Sequence, residues 1–147
     1  MKAIIKRVNE KLETIDLEKE LGRNFEKNAE NQGIVDLDAT YELIDCSMVE
    51  TCYYMEELVE NKIDMIVDEE GKLSHKKINV VVSNKKGAII DIIVGNILFV
   101  GVDEDGNWVE LTDEQIKVVD DMFRKMRNCF VEDEVGDTIA YEVYFIK

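Results

Sequence analysis

Apolar residues fall along this chain in two rhythms, and the change from one to the other marks out the elements. Met1–Val8 (MKAIIKRV) has a β-branched centre and predicts a first strand. Asn9-Glu10-Lys11 predicts a turn, and Leu12, Thr14 and Ile15 begin a second strand that pairs back on the first. Leu17, Leu21, Phe25 and Ala29 then recur at every fourth position. That spacing predicts a helix within Asp16–Asn31, with Asp16 as its cap and Gly22 as a weak point inside it, fraying into a loop through Asn24, Asn28, Asn31, Gln32 and Gly33. Ile34–Leu37 reads as a short strand, and Asp38 as the N-cap of a short helix carrying Tyr41 and Ile44. Met48–Met55 reads as a strand, and Glu56–Asn61 as an acidic connection. In Lys62–Val67 the residues Ile63, Met65 and Val67 alternate with Lys62, Asp64 and Ile66, the period of a half-buried strand. Asp68–Gly71 predicts a hairpin turn with Lys72-Leu73 starting the return, and Ile78–Val82 a further strand.

The strongest signals lie between Ile89 and Phe130. Ile89–Val94 and Ile97–Val102 are nearly all apolar and are separated by Gly95-Asn96, a bend or bulge. Continuous apolar runs imply burial on both faces, so both strands are expected at the centre of the sheet. The acidic turn Asp103–Asn107 follows, then Trp108, Val109 and Leu111. Thr112-Asp113-Glu114-Gln115 is a capping box, and Ile116, Val119, Phe123 and Met126 give one buried helical face. Asp113–Lys117, Asp120–Arg124 and Asp121–Lys125 are acid-before-base pairs at i,i+4. An acidic loop at Glu132–Asp137 leads to a last strand over Thr138–Ile146. The sum is one α+β domain over residues 1–147: a mostly antiparallel sheet of about six to eight short strands with two or three helices packed on it.

Length agrees, since 147 residues make one domain able to bury a core without metal or disulfide. Cys46, Cys52 and Cys129 are odd in number and form no CxxC pair, which suits free thiols in a reducing cytoplasm. No apolar stretch reaches the length of a membrane span. Charge changes the picture more than composition does. Thirty-three acids face eighteen bases, a net of −15. Direct affinity for nucleic acid or an anionic membrane is thereby disfavoured, and basic partners are attracted.

Candidate chemistry is thin. Asp103-x-Asp105-Gly106 invites a calcium reading, but Gly101 stands where the first ligand belongs and Thr112 where the bidentate Glu belongs. Asp68–Gly71 fails the same way through Ile66 and Leu73. His75, the single histidine, sits in a basic turn. There is no GxSxG, P-loop or GxGxxG. No catalytic residue, cofactor-binding residue or metal ligand is therefore assigned. Between Gly101 and Glu142 thirteen acids face four bases. Asp103, Glu104 and Asp105 in the turn and Glu132, Asp133 and Glu134 in the loop have no local partners. With Glu110 and Trp108, the single tryptophan, they are the candidate partner-binding residues, although Trp108 also suits simple packing against the helix it precedes.

Three segments resemble a known family. Val67-Asp68-Glu69-Glu70-Gly71-Lys72-Leu73 resembles its V-N-E-E-G-K-L hairpin, and Asp91-Ile92-Ile93-Val94-Gly95 its D-I-I-V-G strand end. Gly101–Gly106 followed by Leu111–Gln115 resembles the segment after it. The opening Met1-Lys2-Ala3-Ile4-Ile5 is compatible too. The family is a small domain of unknown function found in phages, plasmids and conjugative elements of Firmicutes. The resemblance spans roughly residues 60–118, has Asp68 where Asn is usual, and leaves Gly22–Met55 and the C-terminal strand distinct. It implies a mobile-element setting and no particular reaction.

Together these features point to a cytoplasmic, phage- or mobile-element-encoded interaction protein of anti-CRISPR or anti-restriction type. It would inhibit a host nuclease or effector by placing carboxylates where phosphates normally bind. Two alternatives stand beside it. One is a small enzyme or nucleotide-binding protein, which needs Lys76, Lys77, Lys85 and Lys86 to converge on one pocket. The other is an accessory protein whose acidity serves only solubility.

Overall fold

The computed structural model describes residues 1–147 and has ten strands in two sheets with four helices. The α+β expectation holds, but the strands divide. The first sheet contains β1 (Lys2–Lys6), β2 (Leu12–Asp16), β3 (Val49–Cys52), β4 (Ile63–Asp68), β7 (Ile97–Val102) and β8 (Trp108–Val109). Its order is β2-β1-β7-β4-β3, with β8 on β7, and every pairing is antiparallel. The second sheet contains β5 (Ile78–Ser83), β6 (Ile89–Val94), β9 (Arg127–Glu132) and β10 (Thr138–Phe145) in the order β6-β5-β10-β9. Only β5 and β10 run parallel.

The first sheet is the middle layer. Ala3, Ile5, Ile66, Leu98 and Val100 on one face pack with Leu17, Val35, Ala39, Leu43 and Ile44. These come from α1 (Leu17–Leu21), α2 (Leu37–Ile44) and the segment between them. Ile4, Met65, Val67, Ile97 and Phe99 on the other face pack with Val80, Val82, Ile93 and Tyr144 of the second sheet. The same core takes in Leu58 of α3 (Glu56–Glu60) and Val119 and Met122 of α4 (Asp113–Arg124). Covering both faces explains why β4 is buried throughout, apart from half-buried Asp64, where alternation had predicted a half-exposed strand. It also explains why β7 is the most apolar strand.

Several expectations are corrected. Helix α1 stops at Leu21 because Gly22 takes a left-handed conformation (φ 65°) and its N–H bonds Glu18 O, closing the helix. The four-residue stripe that continued to Ala29 falls in a loop. Asp36, not Asp38, caps α2, accepting from Ala39 N at 2.9 Å while holding Arg23 through both carboxylate oxygens. Ile34–Leu37 forms no strand beyond a bridge of Ile34 to Val109, and Glu56–Glu60 is a helical turn rather than a plain connection. Asp68–Leu73 is not a hairpin: β4 pairs with β3 and β7, and the chain leaves it for the other sheet. Strands β6 and β7 separate at Gly95 (φ 77°), β7 to the centre of one sheet and β6 to the edge of the other. Residues 127–132, which carry no strong strand signal, form β9. The capping box of α4 is present in full, Gln115 N donating to Thr112 Oγ1 and Thr112 N to Gln115 Oε1. The i,i+4 pairs are not: Asp113 meets Lys2 at 3.1 Å and Asp121 meets Arg124 at 3.4 Å. Exposed pairs on long side chains gain little from any one partner.

The two sheets are joined by a buried charge. Lys6 of β1 is 1% exposed, and its Nζ donates to Asn79 Oδ1 at 2.9 Å and to Arg7 O at 3.2 Å. It also lies 3.2 Å from Glu142 Oε2 of β10, whose side chain is 15% exposed. That oxygen has no hydrogen bond, so charge alone holds it to the ammonium. Asn79 returns its amide to Lys6 O and Gly95 O, both at 2.8 Å. Lys6→Met should destabilise the protein by about 3–5 kcal/mol in urea unfolding, because the Glu142 carboxylate is left buried without its cation. The double change Lys6→Met, Glu142→Leu should recover much of that loss.

Candidate interaction surface

Asp103 anchors a turn of five residues. Its N–H bonds Asn107 O, Gly106 N bonds Asp103 O, and its Oδ1 accepts from Asp105 N and Asn107 N. Gly106 is left-handed (φ 83°), as the fourth position of this turn requires. The same bonding recurs at Asp133–Asp137 with Gly136, and at Asn84–Ala88 with Gly87. It recurs once more at Asn28–Gln32, where Asn31 (φ 63°) replaces glycine. These turns share one signature, Asp or Asn followed three residues later by Gly or Asn. Only the acidic members drew attention from the sequence. The Asn28 turn, with no glycine at its fourth position and no charge run, reads from the sequence only as the frayed end of a helix.

Two of these turns meet. Asn28 Nδ2 donates to Asp103 Oδ2 at 3.1 Å, and Glu110 Oε2 accepts from Gly33 N at 2.6 Å. Glu30, Glu104 and Asp105 stand exposed at this corner, while Asp103 and Glu110 are half-buried and committed to the backbone around them. The hydrogen bonds from Asn107 and Asn28 hold the Asp103 carboxyl below its ordinary value. Trp108 is half-buried against the core on the α2 side, and its Nε1 donates to Asp64 Oδ2 at 2.9 Å. Burial pushes the Asp64 carboxyl up, against the pull of that hydrogen bond.

The other candidates lie elsewhere. Lys77 O accepts from Gly95 N, just before β7, and Lys77 Nζ pairs with Asp133 at 3.3 Å. Asp103 follows the far end of β7. The two acidic turns are thus separated by the length of that strand, roughly 20 Å, and do not form one surface. Glu132 and Glu134 are exposed; Asp133 is bound to its own turn and to Lys77.

The basic segment does not assemble a phosphate site. Lys76 and Lys77 line one open groove of about 950 Å³ on the outer face of the second sheet, with His75 and Lys72. Each of its lysines has a carboxylate: Lys72 with Asp91, Lys76 with Asp68 and Lys77 with Asp133. Lys85 and Lys86 belong to the β5–β6 turn and do not line the groove. Burial pushes the Cys52 thiol up to about 11 and raises Cys46 as well, so neither is a ready thiolate. No three His, Cys, Asp or Glu side chains gather as a metal site, and no helix is long and apolar enough to cross a membrane.

Residues 1–124 match the model of a family described as "Domain of unknown function (DUF3846)", a span that takes in every element from β1 to α4. No curated protein and no solved structure matches the chain.

If Asp103 is the pin between the two turns, Asp103→Ala should speed amide exchange at Asp105, Asn107 and Gln32 while leaving α4 protected. Because its folded value is lowered, the contribution of this carboxylate is present above the ordinary Asp value of 3.8 and lost as pH falls through the folded value. The Asp103 carboxyl chemical shift should accordingly titrate with a midpoint below 3.8.

Proposed function

The chain belongs to the DUF3846 family, and on that footing we propose that it is an acidic interaction protein that docks on a basic, nucleic-acid-binding surface of another protein. The observation that carries this reading is the corner where the Asn28 and Asp103 turns are tied together. It holds Glu30, Glu104 and Asp105 outward on a fixed backbone in a chain of net charge −15. Carboxylates carried on a fixed backbone cost little loop entropy when they meet a partner, and a strong negative field steers a basic target toward them. The half-buried acids beneath the corner supply the rigidity; the exposed ones supply the contact.

The setting proposed is a phage or other mobile element within a bacterial cytoplasm, and the partner a host nuclease or effector whose nucleic-acid groove is occupied and thereby inhibited, as anti-CRISPR and anti-restriction proteins do. A nucleotide ligand has less in its favour, since every lysine of the groove on the second sheet already has a carboxylate.

Binding to a Lys/Arg-rich nuclease or effector, measured by displacement of its labelled nucleic acid, should weaken steeply as salt rises. Reversing Glu30, Glu104 and Asp105 to Lys should abolish displacement without changing thermal unfolding. Displacement that survives both salt and charge reversal would remove the basis for this reading.

A further inference from the structure

We propose that β9 is a homodimer edge, at which two copies of this chain pair antiparallel and join their second sheets into one. The inference is independent of the acidic corner.

An edge strand exposes a row of unpaired N–H and C=O groups, and folded proteins blunt such edges with charge, bulges or short length. The other outer strands are blunted. Strand β2 carries Glu13 and Asp16, β3 is only four residues long, and the pairing of β6 to β5 is broken by register shifts on both sides of Val80–Val82. Strand β9 has none of these devices between its ends. Its six residues pair with β10 in unbroken register, and its centre, Asn128-Cys129-Phe130-Val131, is uncharged. Phe130 is 70% and Val131 42% exposed. In a chain of net charge −15, this is an edge where close approach of a like-charged copy brings few acids together.

The backbone fixes the register. Asp133 N bonds Asp137 O across the β9–β10 turn, so Asp133 and, by alternation, Val131, Cys129 and Arg127 direct their backbone groups toward β10. Asn128, Phe130 and Glu132 therefore direct theirs outward. A two-fold axis perpendicular to the sheet must place residues of one face opposite one another. Centred on Phe130, it puts Phe130 opposite Phe130 of the second copy, with Asn128 opposite Glu132 as the flanking bonded pairs. Cys129 then faces Val131 of the second copy, and Arg127 faces its Asp133. No like charges stand directly opposite, aromatic meets aromatic, and the one cation of the strand meets an anion. The second copy is thus the occupant that this strand suits, and the product is a continuous antiparallel junction between two four-stranded sheets.

The test uses the full chain. Sedimentation equilibrium should show a monomer–dimer equilibrium that tightens as salt rises, because screening relieves repulsion between two acidic chains. That is opposite to the salt dependence expected for a basic partner, so failure of one reading is distinguishable from failure of the other. Phe130→Asp puts like charges together on the axis and should raise the dimer dissociation constant by roughly tenfold or more while thermal unfolding of the monomer is kept. Val131→Cys should give, on mild oxidation, an intermolecular disulfide joining position 131 to Cys129 of the other copy, located by peptide mapping. A chain that stays monomeric at all concentrations and salts would overturn the proposal. So would a dimer indifferent to Phe130→Asp, or one in which Cys129 of the parent chain links to its own equivalent.

Discussion

The arrangement of the two sheets depends on one ammonium group. Lys6 sits at the end of β1, within a strand that otherwise supplies Ala3, Ile4 and Ile5 to the two cores. Burying an isolated lysine is prohibitive, so its presence obliges the surroundings to supply acceptors and an anion. Asn79 and the Arg7 carbonyl supply the acceptors, and Glu142 supplies the charge. Asn79 and Glu142 come from β5 and β10, the two parallel neighbours at the centre of the second sheet. Satisfying Lys6 therefore fixes how that sheet lies on the first. Apolar packing would tolerate a shift of one sheet over the other; an ammonium that has lost its carboxylate would not.

The same constraint explains the bend at Gly95. Asn79 can serve Lys6 only if its amide also finds acceptors, and Gly95 O is one of them. The left-handed turn at Gly95 aims that carbonyl and separates β6 from β7. Two strands that look alike as apolar runs thus end in different environments. Strand β7 lies between β1 and β4 with both faces covered, whereas β6 pairs with β5 alone and leaves Ile89, Ile90 and Ile92 exposed. Apolar composition could not tell them apart, because a strand's burial is set by what its sheet packs against, and that choice is made by residues far away in the chain.

Legibility in the sequence follows the range of the interactions. The α4 capping box is complete within four residues and was readable as it stands. The existence of the β1–β2 hairpin was readable from a β-branched run and its turn, and that of the last strand from its local sequence. The helix expected within Asp16–Asn31 is cut short because the apolar spacing continues past Gly22 while the left-handed conformation of that glycine ends the helix. The hairpin expected at Asp68–Leu73 failed because turn chemistry says where a chain bends and not which strand it then joins. Of the candidate surface, Asp103 and its neighbours were legible as a turn, but the Asn28 turn that supports them was not, since the contact spans 75 positions. Lys6 was invisible as a core residue for the same reason.

Acidity, finally, is not one property in this chain. Part of it is structural: Asp16 and Asp36 cap helices, Asp103 and Asp133 anchor turns, Asp68 and Asp91 hold lysines, and Glu142 neutralises Lys6. These carboxylates are spoken for, so fewer acids are free to touch a partner than their number in the sequence suggests. What remains outward is unevenly spread, with exposed acids on held turns at the Asn28–Asp103 corner and an uncharged centre on β9. The β9–β10 hairpin lies beyond the span matched by the family, yet β10 carries Glu142 and Tyr144 into the main core. In this chain the hairpin is therefore no appendage. The interior needs its inner strand, and its outer strand carries the least protected edge of the molecule as a consequence.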